Sequence, residues 1–198
     1  MRTSSKREQI LEAAVRVLTR QGLEKTRISD IVREAGVAQG TFYLYFSSKH
    51  ALIPAIAAGV RSRMLLALRQ EVPASGSLQE ILEALVDGTI RITGELRDEL
   101  VLCYLGLALS GGLQSWEEAR FTYCDWLAGV LEPCRQRGEI HPDTDLMIAA
   151  GMVKELVESV AERIQLYGGE QGLSRSSRRE LLVFLMRALG GPECAQLC

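Results

Sequence analysis

Apolar residues return every three or four positions along nearly the whole chain, and no apolar–polar alternation lasts more than a few positions. That period confines the chain to amphipathic helices, because a helix buries one stripe per turn whereas a strand needs period two. Reading from one Gly, Pro or Ser break to the next gives nine helices. They cover about 6–20, 27–35, 39–46, 48–70, 78–93, 97–109, 116–137, 144–167 and 174–189. The first carries a stripe of Ile10, Ala13, Ala14, Val17 and Leu18, and Gly22 is expected to stop it. Thr26 is placed to cap the second helix and Gly36 to end it, with Ile28, Ile31, Val32 and Ala35 facing inward. The fourth starts from a cap at Ser47 or Ser48, so Pro54 is expected to bend it or mark a restart. Val72–Ser77, with Pro73 and Gly76, is a loop by composition. The expected fold is all-α, with a three-helix N-terminal domain over 1–53 and a helical C-terminal domain over 54–198.

Composition limits what such a chain does. Its 198 residues are 47% hydrophobic and 24% charged, values of an ordered globular protein. The longest nearly uncharged stretch, Val101–Ser115, is 15 residues with three glycines. A membrane span needs roughly 18 apolar residues, so none is expected. The basic opening has no apolar run behind it, so no secretory signal is read there and a cytoplasmic location is expected. Five cysteines without zinc-like spacing and two distant histidines predict no metal site. Cys194 and Cys198 stand beside Glu193 with no cation to lower a thiol pKa, so a redox role is disfavoured. There is no Gly-rich phosphate loop, serine elbow or HExxH, and Ser110-Gly111-Gly112 reads as a helix break. Neither enzymatic activity nor a cofactor is expected.

Charge is unevenly distributed. Residues 1–50 hold nine Lys/Arg against five acids, a local charge of +4, while the remaining 148 carry −6. A basic head on an acidic body points the head at a polyanion. Residues 26–52 supply a geometry for that encounter. Two short helices flank Ala35-Gly36-Val37-Ala38, and Gly36 provides the positive φ that a tight interhelical turn requires. This is a helix-turn-helix arrangement, whose second helix enters a DNA major groove. At about 100° per residue, Phe42 and Phe46 stack one turn apart as anchors, and Gly40, Thr41, Tyr43, Leu44 and Tyr45 fall on the other arc. The Tyr43 and Tyr45 hydroxyls suit phosphate oxygens. Gln39 suits an adenine edge and the Thr41 methyl a thymine methyl, while Gly40 lets a phosphate approach the backbone. Lys49, Thr26 and Arg27 stand at helix starts, where side chain and free amides can share a phosphate.

These residues resemble the DNA-binding domain of the TetR family of bacterial one-component regulators. Thr26, Ile28, Ile31, Ala35-Gly36-Val37, Gly40-Thr41-Phe42-Tyr43, Phe46, Lys49 and Leu52 agree with it in type and spacing, within about 6–53. The resemblance implies a homodimer on double-stranded operator DNA, a small-molecule pocket in the C-terminal body, and release of DNA when the pocket fills. It implies DNA contacts at Gln39, Gly40, Thr41, Tyr43, Tyr45 and Lys49. There are two departures. Ala38 stands where the family commonly has a capping Ser or Thr, a loss of roughly 0.5–2 kcal/mol. Tyr45 stands where it often has His or another aromatic, so operator preference does not carry over.

The body is read less sharply. Cys103, Tyr104, Trp116, Phe121, Tyr123 and Trp126 fit an apolar pocket with polar tips for a small lipophilic or aromatic effector. Ordinary core packing is the competing reading of the same aromatics. The last two helices offer broad apolar faces, with Val153, Leu156, Val157 and Val160 on one and Leu181 and Leu185 on the other. Paired with a second copy, they would build a four-helix dimer interface. The alternative to a repressor is a helical small-molecule-binding protein whose helix-turn-helix is vestigial. Salt-dependent binding to duplex DNA separates the two.

Overall fold

The computed structural model describes residues 5–107, 113–166 and 171–190, without side chains at 105–119 and 171–175. Nine helices run through the described residues: α1 (Lys6–Lys25), α2 (Ile28–Ala35), α3 (Gln39–Tyr45), α4 (Leu52–Glu71), α5 (Leu78–Glu95), α6 (Arg97–Leu107), α7 (Leu113–Gln136), α8 (Leu146–Gln165) and α9 (Gln171–Leu189). The expected all-α fold is therefore present, with shifts of a few residues at most helix ends. Among the described residues no helix is long and apolar enough to cross a membrane, and no cluster of His, Cys, Asp and Glu is placed to hold a metal ion. The cysteine pair at 194 and 198 lies outside the described residues.

The chain forms two compact units, one of Met1–Arg61 with Leu96–Ser115, the other of Ser62–Glu95 with Trp116–Cys198. The first unit therefore reaches beyond the expected boundary at 53 and takes in α6, which packs on α1. α4 starts in the first unit and ends in the second.

In the first unit α1 packs on α2 and α3. Its stripe of Ile10, Ala13, Ala14, Val17 and Leu18 is fully buried, as the spacing predicts. Ser5 and Glu8 cap its start reciprocally: the Glu8 amide donates to the Ser5 hydroxyl at 3.2 Å and the Ser5 amide to the Glu8 carboxylate at 2.8 Å. Gly22, at φ 77°, interrupts α1 without ending it, and the helix resumes to Lys25. Thr26 does not cap α2 as expected. Its buried hydroxyl donates back to the Gly22 carbonyl at 2.6 Å, closing the end of α1, and Arg27 takes the N-cap position of α2. The missing cap is supplied from three residues on, by the Asp30 carboxylate accepting from the Arg27 amide at 3.1 Å. Gly36 ends α2 at φ 65°, and the Val37 amide donates back to Val32 at 3.0 Å.

Pro54 neither bends nor restarts α4. Turn bonds from Ala51 to Ser48 and from Leu52 to Lys49 precede the helix, which begins only at Leu52. Pro54 is then a first-turn residue, where an amide has no intrahelical partner to lose.

In the second unit α5, α8 and α9 pack against one another. Leu78, Ile81, Leu82, Leu85 and Val86 of α5 are buried there. Between α5 and α8, the Gln165 amide donates to the Ile90 carbonyl at 3.1 Å. Between α5 and α9, Arg178 grips Asp87 in a two-pronged ion pair at 2.5 and 2.7 Å. A single bridge between Ile140 and Gly190 ties the α7–α8 loop to the end of α9.

The residues expected at a dimer interface divide in this unit. Val153, Val157, Leu181 and Leu185 are buried within the subunit's own core, so they are not available to a second copy. Leu156 is exposed and Val160 half-buried. The outward apolar stripe of α8 is instead Ile148, Met152 and Leu156, and α9 exposes Phe184. The two stripes differ by about one residue of helical rotation, and the packing of α5 decides which one turns inward.

Candidate nucleic-acid interface

α3 is seven residues long, too short to hold its shape alone, so its placement rests on packing. Phe42 and Phe46, one turn apart, supply it. They are 0% and 4% exposed, and their rings lie 5.7 Å apart at 46°. Pinning one arc leaves the opposite arc outside. Gln39, Gly40, Tyr43, Leu44 and Tyr45 are exposed, and Thr41 is half-buried. The three bulky members are 52%, 80% and 45% exposed at Tyr43, Leu44 and Tyr45. A row of three large side chains is costly to leave in water on a helix this short, unless something covers it. Leu44 is not among the DNA contacts expected from the sequence, although its place on the outer arc follows from the same angular count.

Two features suit a close external approach. A Cβ added at Gly40 would meet nothing within 4 Å, so nothing in the chain itself demands glycine there. Ala38, the N-cap of α3, makes no side-chain cap bond, which leaves the first amides of α3 without that partner.

The flanking residues depart from expectation. The Lys49 ammonium donates to the carbonyls of Leu23, Glu24 and Thr26 at 2.7, 3.2 and 3.0 Å. Its three donor positions are used on the end of α1, so Lys49 is a strut binding the segment before α4 to α1. Thr26, buried and bonded to Gly22, is likewise structural. The expected phosphate contacts of both side chains are corrected accordingly. Their spacing is readable in the sequence, but not that both turn onto the carbonyls closing α1. Arg27 is exposed, as expected.

Around this corner the carboxylates are held ionised. The Arg27 amide, then Gln21 and Arg33, keep the Asp30 carboxyl below its ordinary range. A hydrogen bond from Arg16 does the same for Glu34, with Arg20 adding to it.

The residues expected to line an effector pocket fall in both units. Cys103 is buried and Tyr104 is 39% exposed, both on α6 of the first unit. The side chain of Trp116 lies outside the described residues. Phe121 is 65% exposed, so it lines no enclosed space within its own unit. Tyr123 and the half-buried Trp126 meet edge to face at 5.5 Å. Sequence reasoning missed what stands beside them on α8. The Lys154 ammonium lies 5.8 Å from the Tyr123 ring centre and is paired with Glu158 at 2.6 Å. Burial, with Glu158 adding to it, pushes the Tyr123 hydroxyl well above its ordinary pKa. Burial also raises the Glu158 carboxyl despite Lys154. Elsewhere in this unit a cleft of about 660 Å³ is lined by Asp125, Glu132, Asp143 and Asp145 with Arg135, and none of the expected aromatics borders it.

Comparison with known proteins agrees with this geometry. Residues 10–56 match the bacterial regulatory proteins of the tetR family, and residues 82–189 match the tetracyclin repressor-like C-terminal domain. The chain is 38% identical over 188 residues to the uncharacterized HTH-type transcriptional regulator YvdT of Bacillus subtilis (strain 168), covering 95% of this chain and 97% of that one. It is 26% identical over 147 residues to the fatty acid metabolism regulator protein of the same organism, covering 73% and 76%. Among solved structures, the fatty acid degradation regulator FadR of Bacillus halodurans superposes with a TM-score of 0.73 at 22% identity, over 92% of this chain and 97% of that one. The transcriptional regulator FadR of Bacillus subtilis, in complex with stearoyl-CoA, gives 0.70 at 23%, over 88% and 96%. With both of its segments matched and a relative alike over nearly the full length, the chain belongs to the TetR family of bacterial transcriptional regulators.

Proposed function

We propose that this regulator is a repressor that holds a near-palindromic operator through the outer arc of α3 and lets go when a lipophilic molecule binds its C-terminal unit. The DNA half rests on one observation: α3 is pinned by two buried phenylalanines, and its free arc carries Gln39, Gly40, Tyr43, Leu44 and Tyr45 into solvent. Gln39 reads a base edge, and Thr41 and Leu44 meet thymine methyls. Tyr43, Tyr45 and Arg27 hold phosphates. Thr26 and Lys49 position the corner on which these residues stand.

A palindromic site needs a two-fold dimer, and the exposed stripe of Ile148, Met152 and Leu156 with Phe184 is the apolar surface we assign to it. Half-sites would then lie roughly 34–36 Å apart, or a multiple of that. For the effector we favour an acyl-chain compound. Support comes from the likeness to regulators named for fatty acid metabolism and degradation, one of them solved with stearoyl-CoA. Tyr123 and Trp126 would offer it an aromatic wall. The protein would act in the cytoplasm, where an operator is reached, and without catalysis.

The test is to select duplexes from a random pool on the wild-type protein and titrate them at rising salt. Binding that falls steeply with salt is expected, and no binding at low salt would overturn the proposal. Stearoyl-CoA added to the complex should release the duplex. Unchanged occupancy would remove the acyl-chain reading and leave the DNA reading standing.

A further inference from the structure

The head's surplus charge can be followed cation by cation. Arg16 and Arg20 both pair with Glu34, at 2.9 and 3.7 Å. Arg33 pairs with Asp30 at 3.0 Å, and Lys49 is spent on three backbone carbonyls. Among the described residues of 1–50, Lys6, Arg7, Lys25 and Arg27 remain, all exposed and none in an ion pair. Lys25 and Arg27 flank the start of α2, whereas Lys6 and Arg7 open α1. The uninterrupted part of α1 between Arg7 and Gly22 alone rises roughly 22 Å, at about 1.5 Å per residue. Of these four, Arg7 is the one with a fixed position against α3: its guanidinium sits 5.6 Å over the ring of Phe46, the residue that closes α3 directly after Tyr45.

We propose that Arg7 is a DNA-backbone contact, stacked on Phe46 so that its charge stands at the C-terminal end of the recognition helix. This rests on the reading of α3 given above and extends it to a helix to which no DNA role has been assigned. A long side chain with no acidic partner normally sweeps a wide volume. Stacking a guanidinium on an aromatic face confines it and leaves its edge N–H donors directed outward, in the fork that matches two phosphate oxygens. The contact with Phe46 supports the assignment, because it sets the Arg7 guanidinium beside the residue that directly follows Tyr45 on the outer arc of α3. Phe46 then has two duties: its buried ring anchors α3, and its edge of the core seats the arginine.

The experiment compares wild type, Arg7→Met and Arg7→Lys on a duplex selected with the wild-type protein, measuring affinity against salt together with thermal melting. Arg7→Met keeps an apolar stem over the ring and removes the charge. It should weaken binding about tenfold at low salt and lower the salt slope by roughly 1.8, the signature of one phosphate fewer neutralised by each subunit of the dimer. Arg7→Lys keeps a charge but stacks and forks poorly, so it should restore the slope while recovering only part of the affinity. A packing role alone would lower the melting temperature and leave the slope of Arg7→Met equal to wild type, and that result would overturn the proposal. Failure of the wild-type protein to bind any duplex at low salt would instead strike the α3 reading, and this inference with it.

Discussion

The two units expose apolar surface by different rules. In the head, α3 has two phenylalanines a turn apart, and burying both leaves one orientation open to a helix of seven residues. In the body, α8 spreads Leu146, Met147, Ile148, Ala149, Ala150, Met152, Val153, Leu156, Val157, Val160 and Ala161 around most of its circumference. More than one face of such a helix can be turned inward. A narrow stripe encodes its own orientation, whereas a broad one delegates the choice to its neighbours.

The sharpest way to break this comparison is to remove an anchor. Phe42→Ala empties a fully buried site and should cost roughly 3–5 kcal/mol by chemical denaturation, with duplex binding abolished. A destabilisation under about 1 kcal/mol would mean that α3 is oriented by something other than its phenylalanines.

The body is tested by a pair of substitutions. Leu185→Ala, at a buried position that the sequence pattern places at the dimer interface, should destabilise by roughly 2–5 kcal/mol. Met152→Glu, at a position 64% exposed, should leave folding within about 0.5 kcal/mol and shift the sedimentation of the protein toward monomer. The reverse pattern would show that the outward and inward stripes are exchanged.

A smaller effect sharpens the reading of α3. Nothing in the chain crowds Gly40, so Gly40→Ala should raise stability by about 0.5–1 kcal/mol through helix propensity. The added methyl stands where the backbone would approach DNA, so affinity for a selected duplex should fall. Retained affinity would separate Gly40 from the interface.

The smallest effect is on acid stability. The Asp30 carboxyl is held below its ordinary range of about 3.8, first by the Arg27 amide. A depressed folded pKa contributes stability above the unfolded value and loses it as pH falls through the folded one. Asp30→Asn should therefore lower the melting temperature slightly in the neutral region and leave it nearly equal to wild type at the acid end, which flattens the acid limb below about pH 4. An unaltered acid limb would remove the linkage.

Local chemistry accounts for most of what is legible in the sequence. Gly36 at φ 65°, the buried stripe of α1 and the outward arc of α3 each depend on residues within a few positions of one another. Period and backbone freedom act at that range. Leu44 is legible by the same count but carries no polar group, so chemistry alone does not single it out. Thr26, Lys49 and Pro54 depart from expectation for one common reason: the helix ends shift. With α2 starting at Ile28 and α4 only at Leu52, Thr26 closes α1, Lys49 falls in the turn before α4 and Pro54 becomes a first-turn residue.

From its sequence alone, then, this protein is an all-α chain with a basic head and a helix that turns two phenylalanines in and its tyrosines out. Those properties follow from periodicity, steric freedom at glycine, and charge. Only the tertiary structure decided that Lys49 braces α1, that Arg7 lies over the Phe46 ring across 39 positions of chain, and that Val157 lies inside while Met152 lies outside. The reason is physical: cations and apolar groups have many acceptable partners, and which one each takes depends on which neighbours folding brings within reach.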